Sequence, residues 1–277
     1  MSDIGVLYLV STPIGNLRDV TLRALDVLRS VDRVACEDTR RSRKLLAAYE
    51  IRKPLLAVPA ADEKRRARKL SGHLEIGENI AFVSDAGTPA ISDPGRIVVL
   101  EALRVGARVV PVPGPSALTA AAAASGLVSG RFCFLGFLPR KTTERRELIE
   151  KFGALPAALV IHEAPTRLDK TLSDLSHSLD DDRRAVVCRE LTKIHEEIEH
   201  GSLADLALRY TDGARGEVTI VIGPPAKEKE KDALLTMEEA VPLVRERVRG
   251  GERLKDACKA VARDSKVDAR TLYRACT

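Results

Sequence analysis

Residues 81–95 read AFVSDAGTPAISDPG, and the fold is decided there. With Ile80 in front, the run to Val83 is short and apolar, as in a strand buried on both faces. It empties into a loop holding Gly87, Pro89, Pro94 and Gly95. The spacing predicts a helix over 96–104 that stops at Gly106, with Asp93 as its cap and Pro94 at its first position. Strand, glycine loop and helix start form the ligand mouth of an open parallel sheet. The loop has neither GxGxxG nor GxxxxGK(S/T), so neither dinucleotide nor triphosphate binding is signalled. It offers Asp85, small side chains and backbone amides. A flat, partly apolar ligand with amine and hydroxyl groups suits such a loop, S-adenosylmethionine among them; an ordinary Gly/Pro/Asp turn accounts for it as well.

Two other stretches share the strand, loop, helix order. Residues 4–10 run into STPIGN at 11–16, and residues 108–112 run into PGPS at 113–116 before an alanine-rich helix over 117–125. Parallel strands would bring the three loops to one sheet edge. The motifs TPIGNLRDVTLRAL at 12–25, EDTR at 37–40, DAGTPAISDPG at 85–95 and PVPGPSALTAA at 111–121 together resemble the tetrapyrrole methylase superfamily. Later motifs agree: GFLPRK at 136–141, RELTKIHEE at 189–197 and RGEVTIVIG at 215–223. Within the superfamily they resemble the members that methylate a cytidine ribose 2'-hydroxyl of 16S ribosomal RNA in the small ribosomal subunit.

The resemblance implies two α/β domains with S-adenosylmethionine folded into the cleft between them, and a homodimer. It implies cofactor contacts from Pro13 and Gly15, from Asp85, Gly87, Thr88, Ala90 and Ile91, and from Ser116 and Ala117. Asp38 and Arg40 become substrate-facing, although a polar run after a strand can also be a plain helix cap. Where the superfamily commonly carries a tyrosine and a histidine around a Glu-x-Pro element, this chain has His162 and Thr166, and those two contacts are not carried over. Glu163, Pro165 and Arg167 match, and Arg167 is placed to hold an RNA phosphate.

Composition sets bounds. A chain of 277 residues, 44% hydrophobic, has the material for two ordinary cores. No apolar run approaches the roughly 20 residues that cross a bilayer, and Met1-Ser-Asp has no signal-peptide character. A cytoplasmic protein with no membrane partner is expected. Five cysteines form no CxxC pair; they are read as reduced, with Cys133 and Cys188 in the core. The net charge of +5 suggests an anionic partner. Basic clusters at 40–44, 64–69 and Arg140, Lys141, Arg145 and Arg146 read as RNA phosphate contacts, with no DNA partner expected; a solvated helix face explains 64–69 equally well. Aromatic residues make up only 3%, which argues against a stacking platform for single strands.

The predicted organisation is an N-terminal α/β domain over 1–125, a second over 126–226 and a helical region over 232–277, after a charged linker at 227–231. Leu254, Ala257, Cys258, Val261 and Ala262 form an apolar stripe, and the region suits RNA docking or oligomer contacts. For chemistry, a ribose hydroxyl needs a proton acceptor. Glu163, Glu190 and Lys193 are candidates, though each equally suits a structural ion pair. His195 and His200 lie five apart, about 140° around a helix, so they make no zinc pair; that stretch reads as a polar helix or loop, and no metal is expected. Two other readings remain: a tetrapyrrole substrate, against which the basic clusters argue, and a non-catalytic rRNA-binding factor.

Overall fold

The computed structural model describes residues 4–225, 237–262 and 267–277. The predicted linker at 227–231 lies outside them, as do Met1-Ser-Asp and the start of the last predicted helix at 265–266. The chain divides into two compact units, Met1–Pro224 and Pro225–Thr277.

The first unit begins with β1 (Val6–Val10), α1 (Leu22–Ser30), β2 (Arg33–Cys36), α2 (Thr39–Ala48), β3 (Leu55–Ala57), α3 (Glu63–Glu75), β4 (Ile80–Val83), α4 (Arg96–Arg104), β5 (Arg108–Val112) and α5 (Ala117–Ala124). Its sheet runs β3-β2-β4-β1-β5, all parallel. β4 is flanked on both sides, and all four of its residues are buried, as its unbroken apolar run requires. α3 and α4 pack with Phe82 and Val98 on one face; Leu28 of α1 and Leu46 of α2 pack with Val83 on the other. Because every strand points the same way, the loops after β1, β4 and β5 share one edge.

The chain continues through β6 (Phe132–Phe137), α6 (Thr142–Gly153), β7 (Ala158–Glu163), α7 (Leu168–Ser178), β8 (Arg184–Arg189), β9 (Glu197–Ser202), α8 (Leu203–Arg209) and β10 (Val218–Ile222). The second sheet runs β6-β7-β10-β8-β9 and is mixed: only β6 and β7 are parallel. α6, α7 and α8 cover one face around Ile149, Leu172 and Leu206. The other face receives α5. Ala121 and Ala122 pack with Val160, Val186 and Val221, joined by Ile14 from the loop after β1. The alanines let a helix that leaves the first sheet lie close on the second, and this shared core ties the two sheets into one unit.

Several local expectations are corrected. The 195–200 stretch is no helix, because Glu197–Ser202 pairs along β8 as an antiparallel edge strand. Asp93 does not cap α4; its N-cap is Gly95 at φ 139°, and the Gly95 and Ile97 amides donate to Glu63 Oε1 at 2.8 and 3.1 Å. Thr21 caps α1 by accepting from Ala24 N at 3.1 Å. All five cysteines are free, and Cys133 is half-buried rather than fully so.

The second unit has α9 (Met237–Arg249), α10 (Leu254–Ala262) and α11 (Ala269–Cys276). Ala257, Cys258 and Val261 of the predicted stripe are buried with Ala240, Val244 and Leu272. Among the described residues, no helix is long and apolar enough to cross a membrane.

Candidate active site

Three loops at the carboxyl edge of the first sheet are fastened into one wall. Thr12 and Gly87 exchange backbone hydrogen bonds of 2.9 and 3.0 Å in an isolated bridge. The Ser11 and Thr88 hydroxyls lie 3.0 Å apart, and Thr88 Oγ1 donates to the Pro115 carbonyl at 3.4 Å. The loop after β4 keeps its course through left-handed backbone, with Gly87 at φ 76°, Ala90 at 67° and Ser92 at 59°. In a non-glycine residue such angles cost about 1–3 kcal/mol each, so they persist only where the surroundings impose them.

Facing this wall is the second sheet. A cavity of about 380 Å³ lies between, bounded by Gly87, Thr88, Ser116 and Ala117 on one side and by His162 and Thr219 on the other. Its volume is within the range of small-molecule sites. Ile14, Ile91 and Val218 add apolar surface, and Asp93 and Glu217 add carboxylates. Burial raises the Asp93 pKa, against a hydrogen bond from Ser84. The Ser116 side chain makes no capping hydrogen bond at the start of α5, so the first-turn amides there lack a side-chain acceptor.

Of the expected cofactor residues, Gly87, Thr88, Ile91, Ser116 and Ala117 line this cavity. Pro13, Gly15, Asp85 and Ala90 are not among its lining residues. Asp85 accepts from the Asp38 amide at 3.2 Å and pairs with Arg41 at 3.1 Å. The Ala90 amide donates to the Pro94 carbonyl at 3.2 Å. Gly15 abuts the turn carrying Lys193: a Cβ on Gly15 would come within 2.5 Å of the Lys193 Cγ.

The residues expected to face the substrate are not among those that line the cavity. Asp38 caps α2, accepting from the Arg40 amide at 2.8 Å, and the exposed Arg40 guanidinium folds back on the same carboxylate at 3.0 Å. Those hydrogen bonds lower the Asp38 pKa to about 2. Arg140 and Lys141 are exposed, and Lys141 pairs with Glu144 at 2.9 Å. Arg145 is not available to a phosphate, because it is buried against Asp174, with Nε at 2.7 Å.

The three candidate proton acceptors are occupied. Glu163 is 2% exposed; Oε1 accepts from the Ala164 amide at 2.7 Å, and Oε2 from Thr171 Oγ1 at 2.6 Å and Arg167 Nη2 at 3.2 Å. Arg167 also donates to the Leu138 carbonyl at 2.8 Å, so it braces the strand ends. Lys193 Nζ donates to Glu190 at 2.8 Å and to Glu217 at 3.1 Å. Burial pushes the Lys193 pKa down, but hydrogen bonds to Glu190 and Glu217 outweigh it and leave the ammonium charged. Glu190 is held below its ordinary pKa by the Lys193 hydrogen bond and the Glu217 amide. A charged lysine accepts no proton, and a stabilised carboxylate accepts one poorly.

His162 and Thr219 also line the cavity, although no motif in the sequence marks them as site residues. Their signal was a polar side chain inside the apolar strands ALVIHE and VTIVI, at positions that become cross-strand neighbours.

A parallel sheet whose loop edge faces a second, mixed sheet across a ligand-sized cavity makes a two-lobed α/β architecture. Residues 6–207 match the model of the Tetrapyrrole (Corrin/Porphyrin) Methylases, and the chain belongs to that family. It is 47% identical to Ribosomal RNA small subunit methyltransferase I of Mesorhizobium japonicum over 82% of this chain and 78% of that one. To the Bacillus subtilis protein of the same name it is 40% identical, over 99% of this chain and 94% of that one. Among solved structures, diphthine synthase superposes with a TM-score of 0.63 at 18% identity, over 79% of this chain and 90% of that one. Thermus thermophilus uroporphyrin-III C-methyl transferase complexed with S-adenyl homocysteine gives 0.57 at 22% identity, over 79% and 97%. At these identities the structures speak for the fold.

Proposed function

We propose that this protein is an S-adenosylmethionine-dependent methyltransferase that modifies the 2'-hydroxyl of a cytidine in 16S ribosomal RNA. The observation that carries the reading is the cavity itself: three interlocked loops and the uncapped start of α5 meet the second sheet there, in a chain 40% identical to a small-subunit rRNA methyltransferase over 99% of its length. The residues fit the cofactor. Small side chains and backbone amides at Gly87, Thr88, Ser116 and Ala117 suit close approach by the adenosine, with apolar cover from Ile14 and Ile91. Pro13, Gly15, Asp85 and Ala90 set the shape of those loops. When bound, S-adenosylmethionine supplies a methyl carbon made electrophilic by its sulfonium.

Arg40, Arg140 and Lys141 are assigned to RNA phosphates, with Asp38 orienting Arg40. Arg167, held by Glu163, is likewise assigned to an RNA phosphate, while Glu190 and Lys193 position the turn against Gly15. Lys255, Lys259 and Arg270 line a basic groove of the C-terminal unit and support an RNA-docking role for it. Residues 1–125 and 126–226 are read as two domains and 232–277 as a third region. A homodimer is supported by Leu17 and Ile194, which are exposed near the Gly15–Lys193 contact. The site of action is the cytoplasm, where ribosomal subunits are assembled.

Calorimetry tests the cofactor half: S-adenosylmethionine should bind the wild type, whereas Ser116→Trp, which fills the cavity, and Asp85→Ala should abolish binding. Undiminished affinity in Ser116→Trp would place the cofactor elsewhere.

A further inference from the structure

The proposed reaction needs a group to receive the hydroxyl proton, and Glu163, Glu190 and Lys193 are committed to internal partners. His162 is differently placed. It lies in the cavity wall on β7, cross-strand from Phe137 on β6 and from Thr219 on β10. The imidazole meets the Phe134 ring edge-on, with centroids 4.9 Å apart, and lies tilted against Phe137 at 5.8 Å. Its Nδ1 is 3.0 Å from Oγ1 of Thr219, a residue only 3% exposed. Two aromatic faces and one hydrogen bond therefore fix the ring. Among the described residues, no hydrogen bond engages Nε2.

The surroundings keep the ring neutral. Burial holds the His162 pKa below its ordinary 6.5, against the charge of Glu217. Asp93, which accepts from Ser84, and Glu217, which accepts from the charged Lys193, are the other titratable groups lining the cavity, while the neighbouring Glu163 is turned to Arg167 and Thr171. β6 presents the Phe134 and Phe137 rings to the imidazole, and the start of α5 presents Ser116 and Ala117 to the cavity. Of the two neutral tautomers that fit the Nδ1–Thr219 contact, the one that donates Nδ1–H to Oγ1 leaves a lone pair on Nε2, which is the form a general base requires.

We propose that His162, oriented by Thr219, accepts the proton of the attacking ribose hydroxyl at Nε2. The role rests on the methyltransferase reading above. The hydroxyl O–H bond breaks toward Nε2 as its oxygen bonds to the methyl carbon, and the electron pair of the broken C–S bond stays on sulfur. The imidazolium then releases its proton to solvent, restoring the neutral ring. A substrate hydroxyl thus loses its proton to a nitrogen already tuned to be neutral near pH 7.

Two measurements on the full-length protein test this. Imidazole NMR of the ligand-free protein, assigned with His162→Asn among the five histidines, should show His162 titrating below 6.5 and carrying its neutral proton on Nδ1. Single-turnover methyl transfer to small ribosomal subunits should fall on the acid side with that same pKa. His162→Asn keeps a group facing Thr219 but cannot titrate. It should lose roughly 10²–10⁴-fold in rate, and the acid limb with it, while melting temperature and S-adenosylmethionine affinity hold. Thr219→Val should move the NMR pKa and the kinetic limb together, and it decides the matter if His162→Asn misfolds. A His162→Asn enzyme at wild-type rate, an unchanged limb, or a neutral proton on Nε2 would overturn the role while leaving the methyltransferase reading intact. Absence of transfer by the wild type would overturn that reading and this role with it.

Discussion

Gly15 and Lys193 meet so closely that a Cβ on the glycine would stand 2.5 Å from the lysine Cγ and 2.8 Å from Thr192 Oγ1. One belongs to the loop after β1, the other to the turn between β8 and β9, so the two sheets touch here with no room for a methyl group. The turn is itself constrained, with Glu190 at φ 51° and Thr192 at φ 69°. Gly15→Ala should therefore cost about 1–3 kcal/mol, as overpacking does, and weaken S-adenosylmethionine binding at the neighbouring cavity. Urea denaturation and calorimetry check this; an unchanged midpoint would mean that the turn yields freely.

Arg145 and Asp174 form a buried pair, with side chains 4% and 5% exposed. Arg145 also donates to the Pro139 and Arg140 carbonyls at 3.2 and 3.1 Å, so the pair braces the turn that presents Arg140 and Lys141. Asp174→Ala leaves an unpaired buried guanidinium and should destabilise the protein by about 3–5 kcal/mol. Chemical denaturation measures it, and a loss below about 1 kcal/mol would contradict the burial of that charge.

Asp38 should titrate with a midpoint near 2 instead of its ordinary 3.8, because Arg40 hydrogen-bonds the charged form. A depressed carboxylate pKa contributes stability that is complete above 3.8 and is lost as pH falls toward 2. Carboxyl NMR titration reads the midpoint directly, and Arg40→Ala should raise it. A midpoint of 3.8 in the wild type would show that the pair does not persist in solution.

RNA binding should weaken steeply with salt, since phosphate contacts release counterions. Arg40→Ala and Lys141→Ala should each reduce the salt slope by about 1 and leave S-adenosylmethionine affinity unchanged. Binding measured across a salt series separates the two. Equal loss of cofactor affinity in Arg40→Ala would sink this division of labour.

Much of this arrangement is legible in the sequence because its signals are local. The buried run at β4, the glycine loops and the helical spacing of α1 and α4 each lie within a dozen residues. Elements whose cause is distant are not legible in the same way. β3 has three half-buried residues on a sheet edge, and β9 carries Glu197, Glu199 and His200 around one Ile198, so neither shows the apolar alternation of an internal strand. Glu63 caps α4 from 32 residues away, and no local rule selects it over Asp93. Thr219 meets His162 across 57 residues, through a register that only the folded sheet sets. The alanines of α5 announce close packing, but the second sheet as their partner emerges only in three dimensions.

Labelled methyl transfer from S-adenosylmethionine to purified small ribosomal subunits and to naked 16S rRNA, with nuclease mapping of the product, reads the proposed reaction itself. One modified nucleoside, 2'-O-methylcytidine, should appear, and it should be lost in Ser116→Trp. Bound cofactor with no methyl in either RNA, or methyl on a tetrapyrrole instead, would contradict it.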